Sequence, residues 1–418
     1  MAREFPLRFG YIPYPLWRRR YPIGIKQAFN AVYPALYPVN DDKNPPTTSA
    51  QIAQFLKRFK LLPSATPNFI EQITPPILPT HHSTIPPQPS TKIRLIAQWE
   101  PLEAVLMSWC LFYPRLWSLH AAMVAGIIPV AEVHIAVPSE WWARAIWAYL
   151  REHDFLGDFA HHVKFLILPT DDVWIRDYGP MLGYDEAGVR GGVKAIYDHL
   201  PFYPQGRDNA MPMGWSAQSQ TPLIPLNLHI EGGNLLTDGA GTLFMTAKVL
   251  KANPQFPTQA DLEAYLHTVL DYDKLIITPF MRIERTGHID LLMKLLDDQT
   301  VMISTPSSKW DTARLDEVGT IFRSQTNAKG EKYHVIELPT PPIFFNWIVY
   351  PIRRSYTNAL TVNGRILVPI YKSDSDDTAI RLYEQHAKGY DIIPLDCSVM
   401  INGGGAIHCM TREVPSSL

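Results

Sequence analysis

Three observations predict an α/β fold for this chain. From Ile93 onward, apolar β-branched runs and amphipathic stretches alternate as strand, helix, strand. That order returns twice more, near 241–278 and 365–395. With 418 residues and 46% apolar content, the chain can also bury a large core.

The elements follow in order. Residues 104–109 read as a buried strand, 116–127 as a helix, and 132–137 alternates as a strand does. Residues 141–152 read as a helix with Ser139 as its cap, and 163–168 as the next strand. A second round has a strand at 241–246, a helix at 259–270 and a strand at 274–278. A third has a strand at 365–370, a helix at 376–388 and a strand at 391–395. The rounds share an order without an obvious sequence repeat.

Residues 1–90 differ. Prolines recur there, in pairs at Pro45-Pro46, Pro75-Pro76 and Pro86-Pro87. Proline fixes φ and removes a donor, so continuous secondary structure is disfavoured. One helix is expected at 49–59, capped by Ser49, because Ile52, Phe55, Leu56 and Phe59 fall at helical spacing. Tyr11, Trp17, Phe29 and Tyr37 make the segment richer in aromatics than a disordered tail. It reads as an arm that packs partly on the domain or on a neighbouring subunit. The division is therefore a Pro- and aromatic-rich extension, 1–90, and an α/β domain, 91–418.

Charge and cysteine content exclude several classes. A net charge of −2 gives no electrostatic case for binding nucleic acid or an anionic membrane. The cluster Arg18-Arg19-Arg20 reads as part of a solvated tether. Three cysteines make no disulfide framework, which points to a reducing, cytoplasmic compartment. No apolar run is long enough for a membrane helix, and the first residues lack a secretory pattern. Cys110 and Cys397 sit in core-like runs. No Cys/His spacing suggests zinc, and the pairs His81-His82 and His161-His162 read as surface residues. Asp374, Asp376 and Asp377 read as a loop before a helix. No metal and no cofactor are expected.

Three segments carry chemistry. Gly403-Gly404-Gly405-Ala406-Ile407-His408-Cys409 ends a glycine run on a cysteine. Glycine lets another backbone or a ligand come close, and a cysteine presented there is a nucleophile or else a buried thiol behind a turn. Trp174-Ile175-Arg176-Asp177-Tyr178-Gly179-Pro180 and Gly287-His288-Ile289-Asp290 bring aspartates and a histidine. On a strand, His288 and Asp290 would face the same side. Paired carboxylates clamp a planar guanidinium, a thiolate attacks its central carbon, and a histidine moves the protons.

Together with Gln98-Trp99-Glu100-Pro101, Glu231-Gly232-Gly233-Asn234 and Ser355-Tyr356-Thr357-Asn358, these segments stand in a family's order. The chain resembles the agmatine deiminase and bacterial (Porphyromonas-type) peptidylarginine deiminase family from about Ile93 to Pro415. The resemblance implies a pentein-type α/β propeller of ββαβ-like units around a pseudo-fivefold axis, with the active site in the central channel. It implies Cys409 as nucleophile, His288 as general acid/base, and Asp177 and Asp290 as the guanidinium-binding pair. It places Trp174, Asn358 and Glu231 among the substrate-binding residues. For Glu231, positioning and a plain turn stay open.

The peptidylarginine branch reads a C-terminal carboxylate with arginines that follow the Trp-x-Arg-Asp motif. The region here is Phe202-Tyr203-Pro204-Gln205-Gly206-Arg207-Asp208-Asn209, where Arg207 alone can fill that role. The implied activity is therefore hydrolytic deimination of a small guanidino substrate, agmatine first, with an arginine-containing peptide as the alternative. A cysteine peptidase built on Cys409 and His288 would leave the two aspartates without a purpose. A non-catalytic propeller that binds a partner would have no use for the nucleophile. A homodimer stays open.

Overall fold

The structure is a computed structural model. It describes residues 47–79, 85–87, 89, 91–109, 111, 114–198, 205–281, 284, 286–307, 312–346 and 350–417. The arm before residue 47 with its Arg18-Arg19-Arg20 cluster, the pair His81-His82, Cys110, and Phe202, Tyr203 and Pro204 lie outside the described residues.

Among the described residues, five sheets repeat one plan. Each has an antiparallel pair followed by a parallel pair reached through a helical crossover, the connection that parallel strands require. The first sheet runs Leu102–Ser108, Glu132–Val137 and Val163–Ile167 in parallel, with Thr411–Pro415 antiparallel on its edge. The second is built from Arg94–Leu95, Met181–Tyr184, Arg190–Ile196 and Leu223–His229. The third holds Leu236–Thr237, Thr242–Thr246 and Lys274–Thr278. The fourth holds Met293–Leu295, Thr300–Ser304 and His334–Leu338. The fifth holds Leu360–Val362, Arg365–Ile370 and Asp391–Asp396. The chain's last strand thus pairs in the first sheet.

Each sheet hands the chain to the next through a connection that leaves its last parallel strand. These five connections carry Asp177, Glu231, His288 with Asp290, Asn358, and Cys409 in turn. The repeated topology is what gathers residues so distant in sequence.

The extension is partly built into this core. The helix Ser49–Arg58 buries Ile52, Phe55 and Leu56 in the same apolar cluster as the first and fifth sheets. Its cap is Thr48, not Ser49: the Thr48 side chain accepts from the Gln51 amide at 3.3 Å. Further on, Pro76 and Leu78 exchange backbone hydrogen bonds with Phe165 and cover that edge strand. Phe55 meets Trp142 edge-on, with ring centroids 5.0 Å apart. Phe55→Ala is expected to destabilise the chain by about 3–5 kcal/mol in urea unfolding. A change near zero would mean the helix is dispensable to the core.

No helix among the described residues is long and apolar enough to cross a membrane.

Candidate active site

The nucleophile candidate sits in a short turn, His408–Met410, just before the last strand. The Cys409 side chain is 5% exposed. Its sulfur accepts from Asn358 Nδ2 at 3.2 Å and lies 3.8 Å from Asp290 Oδ2. Asn358 Nδ2 also donates to Asp290 Oδ2 at 3.0 Å, while its Oδ1 accepts from the amides of Ala406 and Cys409. Asn358 therefore fixes the cysteine loop, and its amide group is spent on that loop and on Asp290.

The aspartates and the histidine converge on Gly233. A Cβ placed there would fall 2.5 Å from His288 Nδ1, 2.9 Å from Asp177 Oδ1 and 3.2 Å from Asp290 Oδ2. Only a residue without a side chain lets these three polar atoms close on the backbone here. The Gly233 amide donates to Asp177 Oδ1 at 3.2 Å. Trp174 and Cys409 close in from another side. A Cβ on Gly405 would lie 2.6 Å from Trp174 Cζ3 and 3.0 Å from Cys409 Sγ.

His288 and Asp290 do meet, but for a different reason than strand alternation. His288 is extended and caps a single turn at Ile289–Leu291, and Asp290 lies within that turn. Glu231 stands behind His288, its Oε2 2.6 Å from Nε2, with Lys248 Nζ 3.2 Å from the same oxygen. That geometry makes Glu231 an anchor for the imidazole. It leaves His288 Nδ1 facing the space at Gly233, 3.6 Å from Asp177 Oδ1 and with no hydrogen-bond partner. Asp290 Oδ1 is likewise buried without a partner. Two unpartnered polar atoms beside one cleft mark a place for a polar ligand.

The electrostatics agree. Burial raises the Asp177 carboxyl to about 6, with His288 pulling it down and Glu231 pushing it up. Burial raises Asp290 to about 7, again against His288 and with Asp177. Burial works to lower His288, yet Asp177 and Glu231 outweigh it and raise the imidazole to about 9. The Cys409 thiol is pushed well above its ordinary value by burial, then by Asp290 and Asp177. The site without ligand thus holds a protonated histidine and a thiol.

Arg207 stands apart from this cluster. It opens the helix Gly206–Ser219, its amide donates to Asp171 Oδ2 at 2.9 Å, and its Nε lies 3.9 Å from Asp171 Oδ1. Cys397 is fully buried, and burial raises its thiol.

Several supporting residues had no individual signal in the sequence. His408 donates Nδ1–H to Asp290 Oδ2 at 2.7 Å, and its Nε2 pairs with Gln98 Nε2. Burial and nearby cations, Arg176 first, hold its pKa well below the ordinary range, so it serves as a neutral donor. Gln98 Oε1 accepts in turn from Lys294 Nζ at 2.6 Å. Arg176 does not pair with Asp177. It makes two 2.7 Å bonds to Glu413 and one of 3.1 Å to the His408 carbonyl, tying the motif turn to the last strand. Gln98, Arg176 and His408 all lie inside the quoted motifs, but motif spacing carries no distances.

The chain is similar to known proteins. The model of the Porphyromonas-type peptidyl-arginine deiminase family matches residues 94–415. A Vibrio parahaemolyticus protein provisionally named agmatine deiminase is 29% identical over 287 residues, 61% of this chain and 78% of that protein. The agmatine deiminase of Pseudomonas fluorescens is 25% identical over 359 residues, 77% of this chain and 95% of that one. Among solved structures, the agmatine deiminase of Enterococcus faecalis superposes with a TM-score of 0.70 at 19% identity. That match covers 80% of this chain and 100% of the other, and it speaks for the fold. The family match spans every connection that feeds the cleft at Gly233, and the chain belongs to the Porphyromonas-type peptidyl-arginine deiminase family.

Proposed function

We propose that this chain hydrolyses the guanidino group of agmatine, giving N-carbamoylputrescine and ammonia through a covalent intermediate on Cys409. Proteins of the family are deiminases, hydrolases of guanidino carbon–nitrogen bonds. The observation that carries the reading is the charge balance around Gly233. Asp177, Asp290 and Glu231 bring three carboxylates, while His288 and Lys248 bring two cations. A guanidinium brings N–H donors and a positive charge to these carboxylates, and Asp290 Oδ1 is buried with no partner.

The chemistry follows from the placement. Asp177 and Asp290 hold the planar cation through its terminal nitrogens. The bound cation offsets the two carboxylates that keep Cys409 a thiol, and the Asn358 amide hydrogen already points at the sulfur. In the complex the thiol gives its proton to solvent, and the thiolate adds to the central carbon. His288 gives its Nδ1 proton to the departing nitrogen, the C–N bond breaks, and ammonia leaves. The product of this half is a thiouronium. His288, now neutral, takes a proton from water, the hydroxide adds to the same carbon, and the C–S bond breaks. The hydroxyl proton passes to the departing sulfur, the thiol is restored, and the ureido product is released.

This scheme fixes a pH dependence. A cation binds only when Asp177 and Asp290 are ionised, so kcat/KM should climb as pH passes about 6 to 7. The proton on His288 is needed for ammonia to leave, so the rate should fall as pH passes about 9. The apparent values belong to the coupled set. A profile flat across both limbs would contradict these roles.

The preference for agmatine over a peptide rests on Arg207, the single arginine of its region, whose exposed guanidinium stands apart from the Cys409 cluster with Nε 3.9 Å from Asp171. The curated relatives named above point the same way. Turnover measured side by side on agmatine, free arginine and a C-terminal-arginine peptide tests this. Agmatine should give the highest kcat/KM, and Arg207→Ala should hardly change it. A peptide value well above that for agmatine would reverse the assignment.

The five-sheet plan, with a site residue on every connection, supports a pseudo-fivefold propeller closed by the last strand. A thiol nucleophile supports a reducing, cytoplasmic setting. Both belong to the same proposal.

A further inference from the structure

A cavity lies between the last strand and the strands Arg94–Leu95, Met181–Tyr184 and Leu236–Thr237. It measures about 40 Å³ and is lined by Gln98, Arg176, Arg412 and Glu413, with leucines of the second and third sheets around them. A water needs roughly 10–15 Å³ of such space, so there is room for an ion or a few waters. Ile96, Gln98 and Thr237 on its lining are only half-buried, which gives a way in.

The cavity holds a guanidinium with orphaned donors. Arg412 follows Cys409 by three residues and is 5% exposed. Its Nε and Nη2 are buried and have no hydrogen-bond partner among the described residues. A side chain at Gly232 would collide with Nη2, so the glycine is what lets this guanidinium lie there. The one carboxylate on the lining, Glu413, has both oxygens engaged by Arg176. Arg176 Nε is spent on the His408 carbonyl. Nearby, Lys294 Nζ is spent on Gln98 and on the Ala359 carbonyl. A guanidinium does not shed its proton in a protein, so Arg412 and Arg176 put two positive charges on a lining whose one carboxylate is Glu413. Burial and the neighbouring Arg176 act against the Arg412 charge, while Glu413 and Asp177 favour it. Water would satisfy the N–H groups but not the charge.

We propose that this cavity binds a small monovalent anion of chloride size, held by Arg412 Nε and Nη2. The site is separate from the substrate cleft and takes the opposite sign of charge. Its occupation adds to the stability of the last strand and the cysteine turn that precedes it.

The test uses the full chain dialysed free of halide. Sodium chloride and sodium gluconate are titrated at constant ionic strength, and the thermal midpoint is read. Crystals soaked in sodium bromide give the position by anomalous scattering. The midpoint should rise and saturate with chloride but not with gluconate, which is too large for the cavity. A bromide peak should sit beside Arg412 Nε and Nη2, and Arg412→Met should lose the chloride dependence. Equal responses to the two salts, or density for water alone at Arg412, would overturn the assignment. If Arg412→Met does not fold, these two wild-type readings decide by themselves.

Discussion

Cys409→Ser is expected to abolish deimination and leave the fold unchanged. The substitution keeps a small polar side chain in a buried turn whose amides are already fixed by Asn358. Asn358 Nδ2 can donate to a hydroxyl as it does to the sulfur. What is lost is nucleophilicity, since a serine hydroxyl here has no base able to ionise it at neutral pH. Turnover should fall by on the order of 10⁴-fold or more. The matched control is Cys397→Ser. Cys397 is fully buried in the fifth-sheet region, so its loss touches packing and leaves the cleft alone. A colorimetric ureido assay beside a thermal melt reads both outcomes. Normal turnover in Cys409→Ser would end the covalent mechanism.

The second large effect is expected at Gly233. An alanine methyl there would collide with His288 Nδ1 at 2.5 Å and Asp177 Oδ1 at 2.9 Å and displace the side chains that the scheme uses to hold the guanidinium and move its proton. Its neighbours can shift only by breaking the His288–Glu231 and Asp290–His408 bonds. Gly233→Ala should lower kcat/KM by roughly 10²-fold, because a misplacement of about 1 Å at the reacting centre costs that much. Gly206→Ala is the comparison, since a Cβ there meets nothing within 4 Å. Near-normal kinetics in Gly233→Ala would place the substrate elsewhere.

Strongly apolar elements were legible before the structure. The strands at Glu132–Val137, Lys274–Thr278 and Arg365–Ile370 stand at the boundaries their patterns predict. The helix expected at 259–270 stops at Leu266, with His267 capping it. The helix Gly206–Ser219 gave no signal, because Gly206, Asp208, Asn209, Pro212 and Gly214 are all poor helix formers. Packing of Met211 and Trp215 in the core holds it instead. The pairing of His288 with Asp290 was expected from strand alternation, yet a single tight turn brings it about.

The site was legible as a set of motifs and not as a geometry. The residues at Cys409, His288, Asp177, Asp290, Trp174 and Asn358 gather where the cleft lies. Sequence did not say that Glu231 would anchor His288, or that His408 would reach Gln98 across 310 positions of chain. Such contacts are made by topology, through connections that end five different sheets. Gly233 reads as a turn residue in sequence. Only the placement of three polar side chains around it reveals why a side chain is excluded.

The central claim is that Cys409 carries the substrate carbon during turnover. The most direct test mixes enzyme with agmatine, quenches in acid within one turnover, and maps the chain by mass spectrometry. The account predicts an amidine adduct of agmatine less ammonia on the peptide that contains Cys409, absent from Cys409→Ser. Steady turnover with no adduct, or an adduct mapped to Cys110 or Cys397, would contradict it.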